Sequence, residues 1–438
     1  MKKRIYILFF LILLLSPHTV ASPLGITGMA HYQDGFLILT RFTNNTTQLW
    51  LFEPGRGFKL LNATFLNLTF IHSNGKRVLM YRNLSDIYSA PDVQLYVYDG
   101  ELHHLGDFNG VTDCGDDLYI YWNGEFYLLF QPWDACQMAG YDWYAIVNGS
   151  ILKLPGEDRG WSTVLFHSKR YADNLQVVPH GYLLGYTDFR TGLTSLRLVT
   201  LSNGEIRVKN ITFGNLSAKW SEACFNGTHF ATLLGSWMGL PYVSTLKFYL
   251  AIVNTTGDYK IIPLDSIPLD ENVSLELLGS YNGNWVVRKY RYWRLFSSSR
   301  GFYDKAKTLS YFLVSRGVVK MSNETNVMAT CRRNYPQIVF EGRQVIKAPL
   351  KLNGKNVTIN GTLLLYGGNT FKLPFNVTLA DCGNGCLLSN GKELAYFNGN
   401  DVKTIKLPEN QTENIWLSLL VAVFSLLLIG WLVKMRRQ

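Results

Sequence analysis

Between Ser22 and Asn414, apolar and polar residues alternate in short runs that are rich in β-branched and aromatic side chains and are separated by Gly and Asn. A period of two, interrupted every few residues by turn formers, predicts strands and hairpins; no stretch there sustains the 3.6-residue period of an amphipathic helix. One combination recurs: an aromatic and aliphatic strand, a turn containing Gly, then a short strand carrying Lys or another polar residue among Leu, Ile and Val. It reads QLWLFEPGRGFKLL at Gln48–Leu61, QLYVYDGELHHL at Gln94–Leu105, WYAIVNGSILKL at Trp143–Leu154 and LRLVTLSNGEIRVK at Leu196–Lys209. It returns as FYLAIVNTTGDYKII at Phe248–Ile262, LSYFLVSRGVVKM at Leu309–Met321, TLLLYGGNTFKL at Thr362–Leu373 and ELAYFNGNDVKTIKL at Glu393–Leu407.

The second strands of these hairpins begin near residues 58, 101, 150, 205, 259, 317, 370 and 402, at intervals of 43, 49, 55, 54, 58, 53 and 32. A period of about 45 to 55 leaves room for four strands, and a four-stranded meander that buries its faces only against its neighbours is a propeller blade. The expected fold is therefore all-β, a β-propeller of eight four-stranded blades over residues 22–408, with seven blades as the alternative because the final unit is short. A second internal match supports repetition: DCGDDLYIYWNGEFYLLF at Asp113–Phe130 aligns with DCGNGCLLSNGKELAYF at Asp381–Phe397. On these features the chain resembles a divergent propeller ectodomain carried on a single-pass membrane anchor. The resemblance is architectural only, because neither WD40 Trp-Asp endings nor kelch double glycines mark every blade, and an architecture of this kind names no function.

The two ends set the expected compartment. Residues 1–21 combine a basic start, an apolar run from Ile5 to Leu15 and small residues Thr19 and Ala21 before a cleavage point, which is the anatomy of a secretory signal peptide. After a linker at 409–414, residues 415–433 run nineteen positions without a charge, with Trp416 and Trp431 near the two edges, which suits one transmembrane helix. The basic tail 434–438 then belongs in the cytoplasm, so a single-pass protein of the cell membrane with its large N-terminal part outside is expected.

Composition adds to this. The net charge of +10 falls to +4 once the three cations at each end are set aside, which is no footprint for nucleic acid. Sixteen of the 32 asparagines begin an Asn-X-Ser/Thr sequon, against about four expected from composition. They are Asn44 with its neighbour Asn45, Asn62, Asn67, Asn83, Asn148, Asn210, Asn215, Asn226, Asn254, Asn272, Asn323, Asn356, Asn360, Asn376 and Asn410, and the excess points to a glycosylated, exported surface. Six cysteines, Cys114, Cys136, Cys224, Cys331, Cys382 and Cys386, read as disulfides in such a compartment, with fifteen possible pairings. Cys382 with Cys386 and Cys114 with Cys136 are local pairs; Cys224 and Cys331 would then join units two blades apart.

Candidate chemistry is sparse. The histidines are scattered, and HExxH, GxSxG and P-loop signatures are missing, so no cofactor is called for. Asp113, Asp116 and Asp117 offer hard oxygens that suit calcium, weighed against a solvated turn, since the spacing is not that of an EF-hand loop. The stretch WVVRKYRYWRLF at Trp285–Phe296 stands out. Its Arg288, Arg291, Tyr292, Trp293 and Arg294 interleave cations with aromatic faces, the chemistry of a glycan or an acidic protein patch; the alternative is an amphipathic strand pair packed between blades. The expected function is a non-enzymatic, membrane-tethered, glycosylated surface protein that binds a protein or glycan through blade loops. The alternative is a surface hydrolase of carbohydrate or peptide, its catalytic groups gathered in the propeller channel.

Overall fold

In the computed structural model the described residues are 23–42, 46–84, 92–111, 117–132, 140–155, 158–159, 175–188, 193–218, 223–236, 245–268, 271–297, 301–315, 317–322 and 327–407. The expected signal peptide, linker, transmembrane helix and basic tail lie outside them, as do Cys114 and Cys136. Among the described residues no helix is long and apolar enough to cross a membrane.

The protein is all-β, and its described strands form eight antiparallel sheets, six of them four-stranded. The last two strands of each meander are the hairpins predicted from the sequence: Thr245–Asn254 with Tyr259–Pro268, for example, and Leu394–Phe397 with Val402–Ile405. Asn-Gly pairs close several turns with both residues in the left-handed region, as at Asn148 (φ 50) and Gly149 (φ 77), which matches the right-handed twist of the flanking strands.

The chain divides into two compact units. The first comprises Met1–Asn83, Leu95–Leu102 and Lys347–Gln438; the second comprises Leu84–Gln94 and His103–Ile346.

In the second unit, successive sheets pack face to face. His229–Gly235 shows how: Ala231 and Leu233 join a core with Leu275, Trp285 and Phe312 of the following sheet, while Phe230 and Leu234 join Leu183, Leu196 and Leu198 of the preceding one. Alternate side chains point to opposite faces, so a strand buried on both sides reads as a continuous apolar run. Fully burying such side chains contributes about 1.5 to 3 kcal/mol each. Tyr121, Phe126, Phe130 and Trp143 fill the next interface, against Tyr182 and Leu184.

One segment departs from the meander. Thr330 exchanges backbone hydrogen bonds with Ser280, Phe225 donates to the Arg332 carbonyl and Val177 donates to the Asn334 carbonyl. Gln337–Glu341 then pairs with Tyr119–Trp122. The strand partners Val273–Tyr281, Cys224–Phe225, Leu175–Val178 and Tyr119–Trp122 each come at the start of their own meander. The segment therefore runs as a strap along the edges of all four sheets, and every second residue bonds the next one. Cys331 sits between two of these contacts and forms a disulfide with Cys224. The two cysteines expected to lie too far apart are joined because the strap carries Cys331 back to the earlier sheet.

In the first unit, Pro23–Tyr32 and its partners pack on the Leu379–Ile405 sheet through Ile26, Phe36, Ile38, Trp50, Leu387 and Leu394. The Ile26 amide also donates to the Gly391 carbonyl at 2.6 Å. The N-terminal segment thus covers the short final sheet. Cys382 and Cys386 face each other in register within that sheet and are bonded. The Asp-Cys-Gly match falls out of step with the sheets. Tyr119–Trp122 and Tyr127–Pro132 open their meander, whereas Cys386–Ser389 and Leu394–Phe397 are the second and third strands of theirs. The shared letters describe similar hairpins and not equivalent positions in a repeat.

Candidate functional site

The stretch singled out by its cations and aromatics lies on the Asn284–Ser297 strand, which pairs with Gly301–Ser315 from Trp285↔Val314 to Ser297↔Gly301. Its other neighbour, Val273–Tyr281, ends at the pair Val273↔Arg291, where the Tyr292 amide donates to the Asn272 carbonyl at 2.9 Å. The strand Val318–Ser322 reaches back only to Tyr311. Beyond these points the hairpin continues among the described residues as a two-stranded ribbon, about 20 Å long at the usual rise per residue.

Register assigns its faces. Arg291 is opposite Lys307, and Trp293 is opposite Lys305. Directly opposed residues share a face, as do residues two apart, so these four lie together and Tyr292 lies on the other side with Ala306. Tyr292 and Trp293 are 40% and 41% exposed, unusual for such large rings. Arg291, Lys305 and Lys307 are exposed too, and among the described residues none of them makes an ion pair.

The base of the hairpin is different. Arg288 is ion-paired with Glu276 directly across the sheet, and its guanidinium carbon lies 4.9 Å from the Tyr290 ring centroid. Lys289 meets Asp265 of the adjacent sheet at 2.8 Å. These two cations are neutralised and hold the base of the hairpin in place. Arg294 is opposite Asp304 in the backbone register, and its side chain lies outside the described residues. The structure therefore gathers Arg291, Tyr292 and Trp293 with Lys305 and Lys307, two lysines the sequence reading did not single out. Their signal, DKAKTL four residues past the turn, becomes legible only with the register in hand.

A second cluster was missed altogether. In the first unit, three opening strands bring together His31, His72 and Asp381. The Asp381 carboxylate accepts from the His31 backbone amide at 2.6 Å and contacts His31 Nδ1 at 3.2 Å. Burial, helped by the charge of His31 and opposed by that of Asp381, lowers His72 from 6.5 to about 4. A carboxylate on Nδ1 orients an imidazole so that Nε2 can act as a base. Separations of 41 and 350 positions hid this cluster in the sequence. Among the described residues no group of three or more His, Cys, Asp or Glu is arranged to hold a metal ion. Of the acids considered for calcium, Asp113 and Asp116 lie outside the described residues, and Asp117 forms a bridge with Val111.

A cleft of about 480 Å³ opens between turns of two neighbouring sheets in the second unit, lined by Asn226, Asn254, Asp258, Lys260 and Trp285. Hydrogen bonds from Lys209, Thr256 and Asn254 hold the Asp258 carboxyl down at about 2. A carboxylate so firmly ionised cannot serve as a general acid near neutrality. Asn226 and Asn254 begin sequons. So do Asn67, Asn83, Asn148, Asn210, Asn215, Asn272, Asn356, Asn360 and Asn376, and all of these described side chains are exposed or half-buried. Asn44, Asn45, Asn323, Asn410 and the side chain of Asn62 lie outside the described residues.

No protein-family model matches the chain, and no curated protein matches it in sequence. Solved structures similar to it include an uncharacterised protein of Listeria monocytogenes, 10% identical with a TM-score of 0.26, covering 80% of this chain and 94% of that one. The fucose-specific lectin of Aleuria aurantia is 10% identical with a TM-score of 0.21, covering 65% and 92%. A GH43B protein from a Bacteroides ovatus xyloglucan locus is 10% identical with a TM-score of 0.23, covering 86% and 70%. At TM-scores this low the likenesses carry no argument about fold or ligand.

Proposed function

We propose that this chain is a glycosylated surface protein, tethered by one span at 415–433, whose sheets are the blades of a propeller and whose Asn284–Ser315 hairpin binds a protein or glycan partner. The observation that carries the reading is the ribbon: Trp293 exposed beside three cations without acidic partners among the described residues, and Tyr292 exposed on the other face. Keeping large rings and unpaired cations in water contributes nothing to folding, whereas aromatic and Arg side chains are the groups that dominate interfaces. The eight sheets, each ending in a predicted hairpin, support eight blades over seven. The sequons and the two terminal apolar segments support export and tethering.

The hydrolase alternative draws on the His31–Asp381 pair.

The test is binding of the labelled full chain to partner-bearing cells. Arg291→Ala combined with Trp293→Ala should abolish it while leaving the melting temperature unchanged, and undiminished binding would remove the ribbon from the account. Protease added to intact cells should digest the chain and spare a C-terminal tag; the opposite pattern would reverse the topology.

A further inference from the structure

Arg291, Trp293, Lys305 and Lys307 make a flat array whose chemistry selects among partners. Neighbours along a strand face are about 7 Å apart and opposed residues about 5 Å apart, so the three cations surround one indole within the footprint of a short stretch of polymer. Glu276 and Asp265 are taken by Arg288 and Lys289, and among the described residues no acid pairs with Arg291, Lys305 or Lys307. An indole beside ammonium and guanidinium groups recognises a ligand offering two things at once, a flat C–H face and repeated negative charge. A pyranose ring bearing sulfate or carboxylate offers both. An acidic peptide offers charge without the flat face.

We infer that this face of the ribbon binds an acidic polysaccharide, with Trp293 stacking on a sugar ring and Arg291, Lys305 and Lys307 pairing with its sulfate or uronate groups. The inference rests on the proposed role of the hairpin and names the ligand class for it. The ring on the opposite face, Tyr292, is left for a separate contact and takes no part.

The experiment measures affinity of the full chain in non-ionic detergent for heparin, polygalacturonate, poly-L-glutamate and a single-stranded oligonucleotide. Both polysaccharides should bind, and binding should weaken as salt rises. Arg291→Ala with Lys305→Ala and Lys307→Ala should cost about tenfold or more for both, three exposed charge pairs of modest strength each. Trp293→Ala should weaken the polysaccharides several-fold and leave poly-L-glutamate unchanged. Lys351→Ala with Lys355→Ala, exposed lysines of the other unit, should change nothing. Failure of both polysaccharides to bind, equal loss in the Lys351 and Lys355 control, or equal effects of Trp293→Ala on all four probes would overturn the inference. Tighter binding of the oligonucleotide, or of poly-L-glutamate, would assign the face to that class instead. If cell binding depends on Arg291 and Trp293 while neither polysaccharide binds, this inference falls and the hairpin's role as a binding surface stands. If the polysaccharides bind through the ribbon while cell binding ignores it, the reverse holds.

Discussion

Cys224 and Cys331 are bonded across 107 positions of chain, with Cα atoms 5.1 Å apart, because Cys331 lies between the strap residues that hydrogen-bond to Ser280 and Phe225. A cross-link closing so long a loop restricts the unfolded chain far more than one closing a separation of 4, as between Cys382 and Cys386. Replacing Cys224 and Cys331 by Ser should lower unfolding stability by about 2 to 5 kcal/mol, and replacing Cys382 and Cys386 by less. Denaturant unfolding of the two double variants checks this, and equal losses would contradict it.

Gly279 lies under the strap. Its φ is +126, and a Cβ there would come within 2.4 Å of the Thr330 carbonyl and the Cys331 amide nitrogen, all of it backbone that cannot turn aside. Gly279→Ala should therefore lift the strap, cost about 2 to 4 kcal/mol and make the Cys224–Cys331 disulfide easier to reduce with dithiothreitol. Wild-type stability with unchanged resistance to the reductant would show that the strap does not touch this bulge.

His72 predicts an acid-sensitive window. Its folded pKa, about 4, is below the ordinary 6.5, so as pH falls the unfolded chain takes up the proton first. Stability should be full above about pH 6.5, fall by up to about 3 kcal/mol towards pH 4, and level off below it. His72→Gln should flatten that part of the profile. The readout is the denaturant midpoint at pH 7.5, 5.5 and 4, and a wild-type profile unchanged by the substitution would count against it.

Truncation tests the cover that the N-terminal segment gives the last sheet. A chain ending at Asn376 loses Leu387 and Leu394 and exposes Ile26, Phe36, Ile38, Trp50 and Phe52. It should aggregate or be degraded, since an apolar sheet face left open is an association surface. A monomeric, cooperatively melting product would show that the final sheet is dispensable.

The hairpins were legible because each one is local: alternation, an aromatic strand and a turn such as Asn148-Gly149 fall within some fifteen residues. The strap was not. VMATCRRNYP lacks alternation because its residues bond to three different sheets in turn, and QIVFEGRQVI, which pairs with a fourth, carries the hairpin theme without belonging to the meander. The ribbon was legible as a composition and not as a surface. Arg288 and Arg291 look alike in sequence, and only the pairing of Glu276 with Arg288 separates the structural cation from the exposed one. His31 and Asp381, 350 positions apart, meet through tertiary packing that no spacing announces.

The claim that the ribbon is the binding surface is tested most directly by hydroxyl-radical footprinting of the full chain, free and bound to partner-bearing cells. Trp293, 41% exposed, should lose most of its oxidation on binding, while Met321 and Met328, at 69% and 86%, keep theirs as internal references. Unchanged oxidation of Trp293, with protection appearing at His31 and His72, would contradict the account and favour the hydrolase reading.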